Sequence, residues 1–393
     1  MIQIASRTST SNNLAVITAV ARRAIATAAA AGQQGKKTRL QDTLRIGSIP
    51  ADGIGKEVVP AAQLVVEAVG VPVKWISLDA GFEYFQRHGV ALPQSTVDTL
   101  INSCDGALFG AVSSPSHRVE GYSSPIVALR KKLDLFANIR PVISSPHVPR
   151  SLPGINCVIV RENTECLYVK EEQLTTTASG HKVATATRRI SQEASARIAK
   201  VAFDIAVQRA REFKRPGKVT IVHKANVLPI TDGLFRETVL AVSKESAYKD
   251  IIVEEQLVDS CVYRTFIDPQ SFDVLVAPNM YGDIISDGAA AVVGGLGLVP
   301  SANSGNNFVV AEPVHGSAPD IAGLNIANPI ATIRAAGLML QQLGHDKAAR
   351  AIEAGIQESL RRGQTTKDLG GSESTHSAAE KIASHAVAAL ARG

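Results

Sequence analysis

Two aspartates stand four residues apart, Asp283 and Asp287, just after an apolar run at 272–277. On a helix, side chains at this spacing lie on the same face, one turn apart. Two carboxylates without a neighbouring His or Cys suit a hard cation such as Mg2+ or Mn2+ rather than Zn2+. Carboxylates near a helix N-terminus also stabilise the unpaired N–H groups there. The spacing alone therefore leaves a metal site and a helix start equally open.

Three arginines are predicted to lie at the ends of neighbouring elements. Arg130 and Arg140 flank a helix predicted from Ser124, and Arg161 ends a strand predicted at 156–160. Any one of them is most simply explained as a surface side chain. Guanidinium groups that converge on one place, however, bind carboxylates through paired hydrogen bonds. As a set, the arginines indicate an anionic substrate.

Two further polar side chains follow predicted strands. Tyr168 follows Arg161 by seven residues, and Lys224 follows a buried strand predicted at 218–223. An ammonium group at that position is partly desolvated, which is the setting of a general acid or base rather than of a surface lysine. Asp259 is predicted to end an apolar strand at 251–258.

A loop at 312–323 is rich in small residues, and a helix is predicted to begin at Asn328 and Pro329. Small residues let a backbone approach a ligand closely. Within this loop, His315 and Asp320 are the side chains that could bind through charge or directed hydrogen bonds. A turn-rich connector is the simpler alternative, although the loop is long for a turn.

The net charge of +5 comes from one end of the chain. Residues 1–41 contain six basic and no acidic residues, and the remainder is close to neutral, which argues against a nucleic-acid-binding protein. That segment is rich in Ser, Thr, Ala and Arg, which predicts a mitochondrial transit peptide, with a basic tail as the alternative. We find no uncharged apolar run of about 18 residues or more and expect no membrane span. The four cysteines lack metal-ligand spacing and fit buried thiols.

The elements that must position these residues alternate between strand and helix from residue 44 onward. Strands are predicted at 44–49, 73–77, 106–111, 138–143 and 307–311, with single helices between strands and a long helix at 192–213. This pattern predicts an α/β fold with a largely parallel sheet. The Gly53-Ile-Gly55 turn is not a Rossmann fingerprint, because the third glycine would fall at Val58.

Six segments, taken in order, resemble one enzyme family: 49–57, 130–140, 161–168, 223–226, 279–287 and 315–323. The chain from about residue 44 is similar to the β-decarboxylating dehydrogenases that act on isocitrate, isopropylmalate and homoisocitrate. One departure is Ala51, where most of the family has glycine. The resemblance implies an open sheet and two domains around a cleft. Residues 44–135 would pair with 295–393 in the large, cofactor-binding domain, and 136–294 would form the small domain with the substrate and metal site and the dimer interface.

Carried onto matching positions, the resemblance implies roles for three sets of residues. Substrate binding falls to His117, Arg118, Ser124, Arg130, Arg140, Arg161 and Asn226. NAD binding falls to Glu312, His315, Gly316, Ser317, Ala318, Asp320 and Asn328, with Asp320 on the ribose hydroxyls. Mg2+ or Mn2+ falls to Asp259, Asp283 and Asp287. Lys224 would take the substrate's hydroxyl proton and Tyr168 would protonate the enol carbon. Lys224 and Asp259 would enter the site of a second subunit in a homodimer or homotetramer.

The arm that distinguishes the three substrates is expected to face residues 113–126. His117 and Arg118 offer cations there, which disfavours the apolar arm of isopropylmalate. The run at 119–130 is most similar to the fungal mitochondrial homoisocitrate dehydrogenases. We therefore expect a tricarboxylic 2-hydroxy acid, homoisocitrate, oxidised to 2-oxoadipate for lysine biosynthesis in the mitochondrial matrix. The alternatives are an NAD-dependent isocitrate dehydrogenase or a non-catalytic regulatory subunit of one.

Overall fold

The structure, a computed structural model, describes residues 43–115, 117 and 119–392. The predicted transit peptide and the proposed substrate ligand Arg118 lie outside the described residues. Across the described part of the chain, every helix is too short or too polar to cross a membrane.

Twelve strands are formed by the described residues, and all but two join one sheet. They are β1 (Leu44–Ala51), β2 (Val73–Ser77), β3 (Gly106–Ala111), β4 (Ala137–Ile143), β5 (Asn156–Glu162), β6 (Glu172–Thr176), β7 (Lys182–Ala186), β8 (Lys218–His223), β9 (Ile252–Leu257), β10 (Val274–Ala277), β11 (Pro300–Ser304) and β12 (Val309–Pro313).

Eleven α-helices connect or follow these strands in the same described residues. They are α1 (Gly55–Ala68), α2 (Phe82–His88), α3 (Gln94–Ser103), α4 (Pro125–Lys132), α5 (Gln192–Phe213), α6 (Thr231–Ser243), α7 (Val258–Ile267), α8 (Asn279–Val292), α9 (Ile330–Gln342), α10 (Asp346–Arg361) and α11 (Thr375–Arg392). Their ends carry local signals. Ser191 caps α5 by accepting a hydrogen bond from the Ala194 N–H, and Pro125 occupies the first turn of α4.

Ten strands form one continuous sheet in the order β2-β1-β3-β12-β11-β4-β5-β10-β8-β9. The outer strands on both sides run parallel to their neighbours, whereas β12, β11, β4 and β5 pair antiparallel in the middle. The α/β class and the largely parallel sheet are confirmed. The division into two domains stays a prediction, because a single sheet runs through both of them.

Hydrophobic cores cover both halves of the sheet. On one half, α1, α9, α10 and α11 pack on β1, β3, β11 and β12 around Val59, Ile333 and Ile352. On the other half, α5 and α6 bury Phe203 and Phe235 against the sheet, and α8 packs its apolar face near β5 and β10. Helices on both faces explain why parallel strands such as β3 and β10 are continuous apolar runs rather than alternating patterns.

Several sequence-based expectations were wrong in detail. Two helices, α2 and α3, connect β2 to β3 where a single helix was expected. The strand expected at 307–311 is β12, shifted to Val309–Pro313, and β11 was not predicted. Asp259 does not end a strand, since β9 stops at Leu257 and Asp259 lies in the first turn of α7. Arg140 lies within β4 rather than at the end of an element.

The family's missing glycine at position 51 has a local consequence. Ala51 has a φ of 58°. This left-handed region is unfavourable for residues with a Cβ atom but is open to glycine. Ala51 is still paired in the sheet, opposite Ala111 of β3. The chain therefore holds at this turn a conformation that favours glycine.

Candidate active site

The three predicted arginines converge beside the start of α8. Arg161 lies near the end of β5, Arg140 in the neighbouring β4, and Arg130 in the last turn of α4. All three are buried. Helix α8 follows β10, which pairs parallel with β5, so the carboxylates of α8 come to lie next to Arg161. A Cβ on Gly282 would meet Arg161 side-chain carbons at 2.7 Å, so the close packing of α8 on Arg161 requires glycine.

Arg161 is the most deeply buried of the three. Its Nε donates to Asn279 Oδ1 at 2.9 Å, and its Nη1 forms an ion pair with Asp283. Burial, with Arg140 and Arg130 nearby, lowers the pKa of Arg161 to about 10. Arg161 Nη2 is also buried, and no atom of the described residues accepts a hydrogen bond from it. A buried charged donor without an acceptor is costly, and a bound anion would supply the missing acceptor.

Arg140 connects the arginines to both aspartates. Its Nη2 lies 3.4 Å from an Asp283 oxygen, and its Nη1 lies 3.6 Å from an Asp287 oxygen. The same guanidinium donates to Asn138 Oδ1 at 2.7 Å and to the Ser286 hydroxyl. Asp283 and Asp287 therefore share one face of α8, as their spacing predicted.

Arg130 is held from a different direction. Its Nε donates to Asn303 Oδ1 at 3.0 Å, and its Nη2 lies 3.0 Å from Glu312 Oε1. Asn303 also accepts from the amides of Asn138 and Asn163. The structure thus places Glu312, predicted as a cofactor ligand, in contact with a predicted substrate ligand.

The acidic groups have distinct electrostatic settings. Burial raises the pKa of Asp283, but the Arg161 and Arg140 guanidiniums outweigh it, so the pKa of Asp283 lies below its usual value. Asp287, farther from Arg161, has its pKa raised by burial. Tyr168 donates its hydroxyl to Asp283, and burial raises the pKa of Tyr168, which keeps the phenol protonated. A protonated phenol beside this cluster can donate a proton.

Lys224 and Asp259 meet each other but not the other two aspartates. Lys224 Nζ forms an ion pair with Asp259, whose side chain is 65% exposed, whereas the lysine is 25% exposed. Within the described residues, no three His, Cys, Asp or Glu side chains converge as a metal site would require. Asp283 and Asp287 supply two oxygen donors that fit Mg2+ or Mn2+. Further donors for such an ion must come from substrate, solvent or another chain.

The loop predicted to bind NAD lies against the start of α1. Ser317 is buried, its carbonyl accepts from the Ile54 N–H at 2.9 Å, and its hydroxyl accepts from Ser113 at 2.9 Å. Ala318 has a φ of 38°, which bends the chain sharply before the exposed Asp320. Gly316 is exposed, and a Cβ there would meet no neighbouring atom. The exposed carboxylate and the open glycine fit a bound nucleotide.

Two other residues of this loop have different surroundings. Burial lowers the pKa of His315, and its Nε2 is buried without a partner among the described residues. Asn328 donates to Asp368 at 2.9 Å and accepts from the Ile330 N–H at 3.0 Å, two residues before α9 begins. The remaining predicted substrate ligands are peripheral: His117 and Asn226 are exposed, and Ser124 is partly buried before α4.

Several buried polar residues of the site were missed by sequence reasoning: Asn138, Asn163, Asn279, Ser286, Asn303 and Asp52. Asp52 accepts hydrogen bonds from the Phe82, Glu83 and Ser113 N–H groups, and so joins α2 to the start of the 113–126 loop. The Asp-Gly pair at 52–53 gave only a turn signal. Asparagine and serine within a buried strand give no signal in the sequence that the strand exists or that they belong to the site.

Comparison with known proteins places these residues in a recognised context. Residues 45–383 match the isocitrate/isopropylmalate dehydrogenase family. The chain is 47% identical over 338 residues to the isocitrate/homoisocitrate dehydrogenase of Thermus thermophilus, covering 86% of this chain and 97% of that protein. It is also 47% identical over 339 residues to the 3-isopropylmalate/3-methylmalate dehydrogenase of Methanocaldococcus jannaschii, covering 86% and 98%.

A solved structure agrees with the sequence relatives. The crystal structure of isocitrate dehydrogenase from Methylococcus capsulatus matches with a TM-score of 0.82 and 40% identity, over 88% of this chain and 100% of that one. The open-sheet architecture predicted from the sequence is therefore confirmed.

Proposed function

Because the chain belongs to the isocitrate/isopropylmalate dehydrogenase family, we propose that it oxidatively decarboxylates homoisocitrate to 2-oxoadipate with NAD and Mg2+ or Mn2+. One observation carries the proposal. Two buried arginines, Arg140 and Arg161, pair with Asp283, the buried Arg130 pairs with Glu312, and the buried Arg161 Nη2 has no acceptor among the described residues. A polycarboxylate substrate would supply that acceptor.

The residues of this chain divide the reaction between them. Arg130, Arg140 and Arg161 hold the carboxylates of the malate core shared by the family's substrates. NAD, held by the loop that carries Asp320, would supply the hydride acceptor, and a divalent cation held by Asp283 and Asp287 would supply Lewis-acid polarisation of the substrate oxygen. Lys224 takes the hydroxyl proton, and the resulting β-keto acid loses CO2. Tyr168, kept protonated by burial, returns a proton to the enol carbon.

We choose homoisocitrate rather than isocitrate or isopropylmalate as the substrate because of the loop at 113–126. The two relatives with 47% identity carry different substrate names, so overall identity does not select the arm. His117 and Arg118 offer positive charge to an arm that ends in a carboxylate. Isocitrate, with a shorter carboxylate arm, is the second candidate. A regulatory subunit is disfavoured because Tyr168 and Lys224, together with the candidate metal ligands, are all present.

The test is a side-by-side measurement of kcat/KM on homoisocitrate, isocitrate and isopropylmalate, with NAD and with NADP. We expect homoisocitrate with NAD to exceed isopropylmalate by about 100-fold, because the apolar arm of isopropylmalate offers no carboxylate to the cations proposed at positions 117 and 118. NADP should be about 100-fold poorer than NAD, because its 2′-phosphate would face Asp320. Faster turnover of isocitrate would select the second candidate, and faster turnover of isopropylmalate would contradict the role of the loop.

A homo-oligomer with shared sites is part of this proposal. Large apolar side chains are exposed around α6, α7 and α8, among them Ile230, Tyr263, Ile267 and Ile284. The β6–β7 hairpin is exposed along its whole length, and a lone two-stranded hairpin is only marginally stable in water. A second copy of this chain would cover both surfaces. It would also bring its Lys224 and Asp259 towards Asp283 and Asp287.

Subunit mixing tests this arrangement. Lys224→Ala and Tyr168→Phe chains, each inactive alone, are mixed under conditions that exchange subunits. If each site takes Lys224 from one chain and Tyr168 from the other, about a quarter of wild-type activity should return in a randomly mixed dimer. Mass spectrometry of the intact complex verifies exchange. Verified exchange without recovered activity would show that each site is built from a single chain.

The predicted transit segment supports a mitochondrial location, and we propose the matrix as the compartment of this lysine-forming step. Residues 1–41 combine six basic residues with no acidic ones.

A further inference from the structure

A second buried ionic cluster lies behind Lys224 and takes no part in the chemistry described above. Its centre is Asp232, in the first turn of α6, whose side chain is fully buried. One Asp232 oxygen lies 2.7 Å from Arg188 Nη2. The other accepts a hydrogen bond from the Lys224 main-chain N–H at 2.7 Å. A buried carboxylate thus holds the backbone of the proposed proton acceptor directly.

The same carboxylate contacts the helix that carries the aspartate pair. Tyr281, at the start of α8, lies under the Arg188 guanidinium, with Arg188 Cζ 4.4 Å from the ring centre. The Tyr281 hydroxyl also neighbours the Asp232 carboxylate. Asp232 therefore joins the Lys224 segment to α8, two residues before Asp283.

Arg188 connects this cluster to the exposed hairpin. It follows the end of β7 by two residues, and the next residue, Arg189, accepts a hydrogen bond through its carbonyl from the Cys166 N–H at 2.8 Å. Cys166 lies two residues before Tyr168 and has a φ of 68°, unusual for a residue other than glycine. The segment at the base of the β6–β7 hairpin thus connects to Lys224 through Arg188 and Asp232. It also connects, through Arg189 and Cys166, to the segment that holds Tyr168.

We propose that Asp232 is a positioning residue for Lys224, held in place by Arg188 and linked through it to the base of the β6–β7 hairpin. The proposal rests on the proposed function, because it assigns to Lys224 the role of proton acceptor. Asp232 touches neither substrate nor cofactor. Its effect is to fix where the Lys224 side chain starts, and small displacements of a reacting group are costly in rate.

The main test is Asp232→Asn, which keeps the shape but removes the charge that pairs with Arg188. We expect kcat to fall about tenfold or more, while KM for NAD stays within about twofold. Glu353→Gln is the matched control. Glu353 is a similarly buried carboxylate, 2.9 Å from Arg334, and none of its described contacts includes a site residue. The control should lose thermal stability and keep its kcat.

A second measurement needs no turnover. The amine-reactive probe trinitrobenzenesulfonate is applied to wild type and variants, and modification of Lys224 is followed by peptide mass spectrometry. Asp232→Asn should change the labelling rate of Lys224 several-fold relative to that of the exposed Lys249, and Glu353→Gln should not. If Asp232→Asn does not fold, Arg188→Lys replaces it, and we expect a smaller change in the labelling rate of Lys224.

The outcomes separate the two proposals. If the wild-type protein turns over none of the family's substrates but the Lys224 labelling changes as expected, the proposed function fails and the positioning role stands. An Asp232→Asn variant with unchanged kcat and unchanged labelling overturns the positioning role. So does a loss of kcat that Glu353→Gln reproduces in proportion to its loss of stability.

Discussion

Arg161 and Arg334 are both buried arginines that pair with carboxylates, yet their surroundings differ in one respect. Arg334 donates through Nε and Nη2 to the two oxygens of Glu353, at 3.0 and 2.9 Å, and through Nη1 to the Leu298 carbonyl at 2.8 Å. Arg161 shares Asp283 with Arg140 and leaves Nη2 without an acceptor among the described residues. Both arginines are buried, but only Arg334 has an acceptor for each of its three guanidinium nitrogens.

The difference separates a structural pair from a binding site. At Arg334, one carboxylate faces one guanidinium, so the charges balance and no ligand is required. Around Asp283, three guanidiniums face three carboxylates, those of Asp283, Asp287 and Glu312, yet the buried Arg161 Nη2 has no acceptor among the described residues. Burial, and after it the neighbouring Arg140 and Arg130 guanidiniums, lower the pKa of Arg161 to about 10. The unpaired donor of Arg161 is therefore the feature that a bound carboxylate would satisfy.

Among the variants discussed, Asp283→Asn is expected to cause the largest loss of activity. Loss of this carboxylate removes a metal donor, the acceptor for Tyr168 and the counter-ion of Arg161. Turnover should fall at least 100-fold, about 3 kcal/mol of transition-state stabilisation, and the dependence on Mg2+ concentration should weaken. Glu353→Gln, compared at the same Mg2+ concentrations, should keep wild-type turnover. Near-normal activity of Asp283→Asn, or of wild type after chelation, would remove the metal from the proposal.

The variants Arg161→Lys and Arg334→Lys test the difference between the two arginines by ligand binding, without turnover. Malate, the core common to the family's substrates, should bind wild type and raise its melting temperature. Arg161→Lys loses a planar donor pair, so malate affinity should fall by about 2 kcal/mol, roughly 30-fold in Kd by calorimetry. Arg334→Lys should lower the melting temperature and leave the malate Kd unchanged. Equal losses of affinity in both variants would mean that the two arginines do not differ in role.

The long regular elements were predictable because their local signals agree. Helix α5 has a serine cap and an apolar face, and its observed bounds match the predicted 192–213. Strand β8 is an apolar run between turns, and its bounds also match. In both elements the local sequence pattern and the buried face indicate the same structure.

Strand β11 shows why the remainder was not predictable. Its sequence, Pro-Ser-Ala-Asn-Ser, has little β-propensity, yet all five residues are buried. Asn303 is there to accept from Arg130 and Asn138, and Ser301 accepts from Asn138. The arginines could be predicted from their charge, but the amides that orient them come from segments far apart in sequence. Only the assembled sheet brings those segments together.

The smallest effect is expected at Glu212, a carboxyl group without the cations that surround Asp283. Neither of its oxygens has a hydrogen-bond partner among the described residues, and burial raises the pKa of Glu212 from 4.5 to about 7. The folded state therefore favours the protonated form. The stability that this proton contributes is complete below pH 4.5 and is lost as the pH rises through about 7.

Glu212→Gln should remove that loss, because glutamine stays neutral. The free energy of unfolding at pH 8 should rise by about 1–2 kcal/mol, a figure already reduced for solvent screening, and the gain should vanish near pH 5. Glu358→Gln is the control, because hydrogen bonds from Arg361 and Arg362 lower the pKa of Glu358 to about 2, outside this range. Denaturant unfolding at pH 5 and pH 8 gives both values. A gain of equal size at the two pH values would show that Glu212 is charged at both.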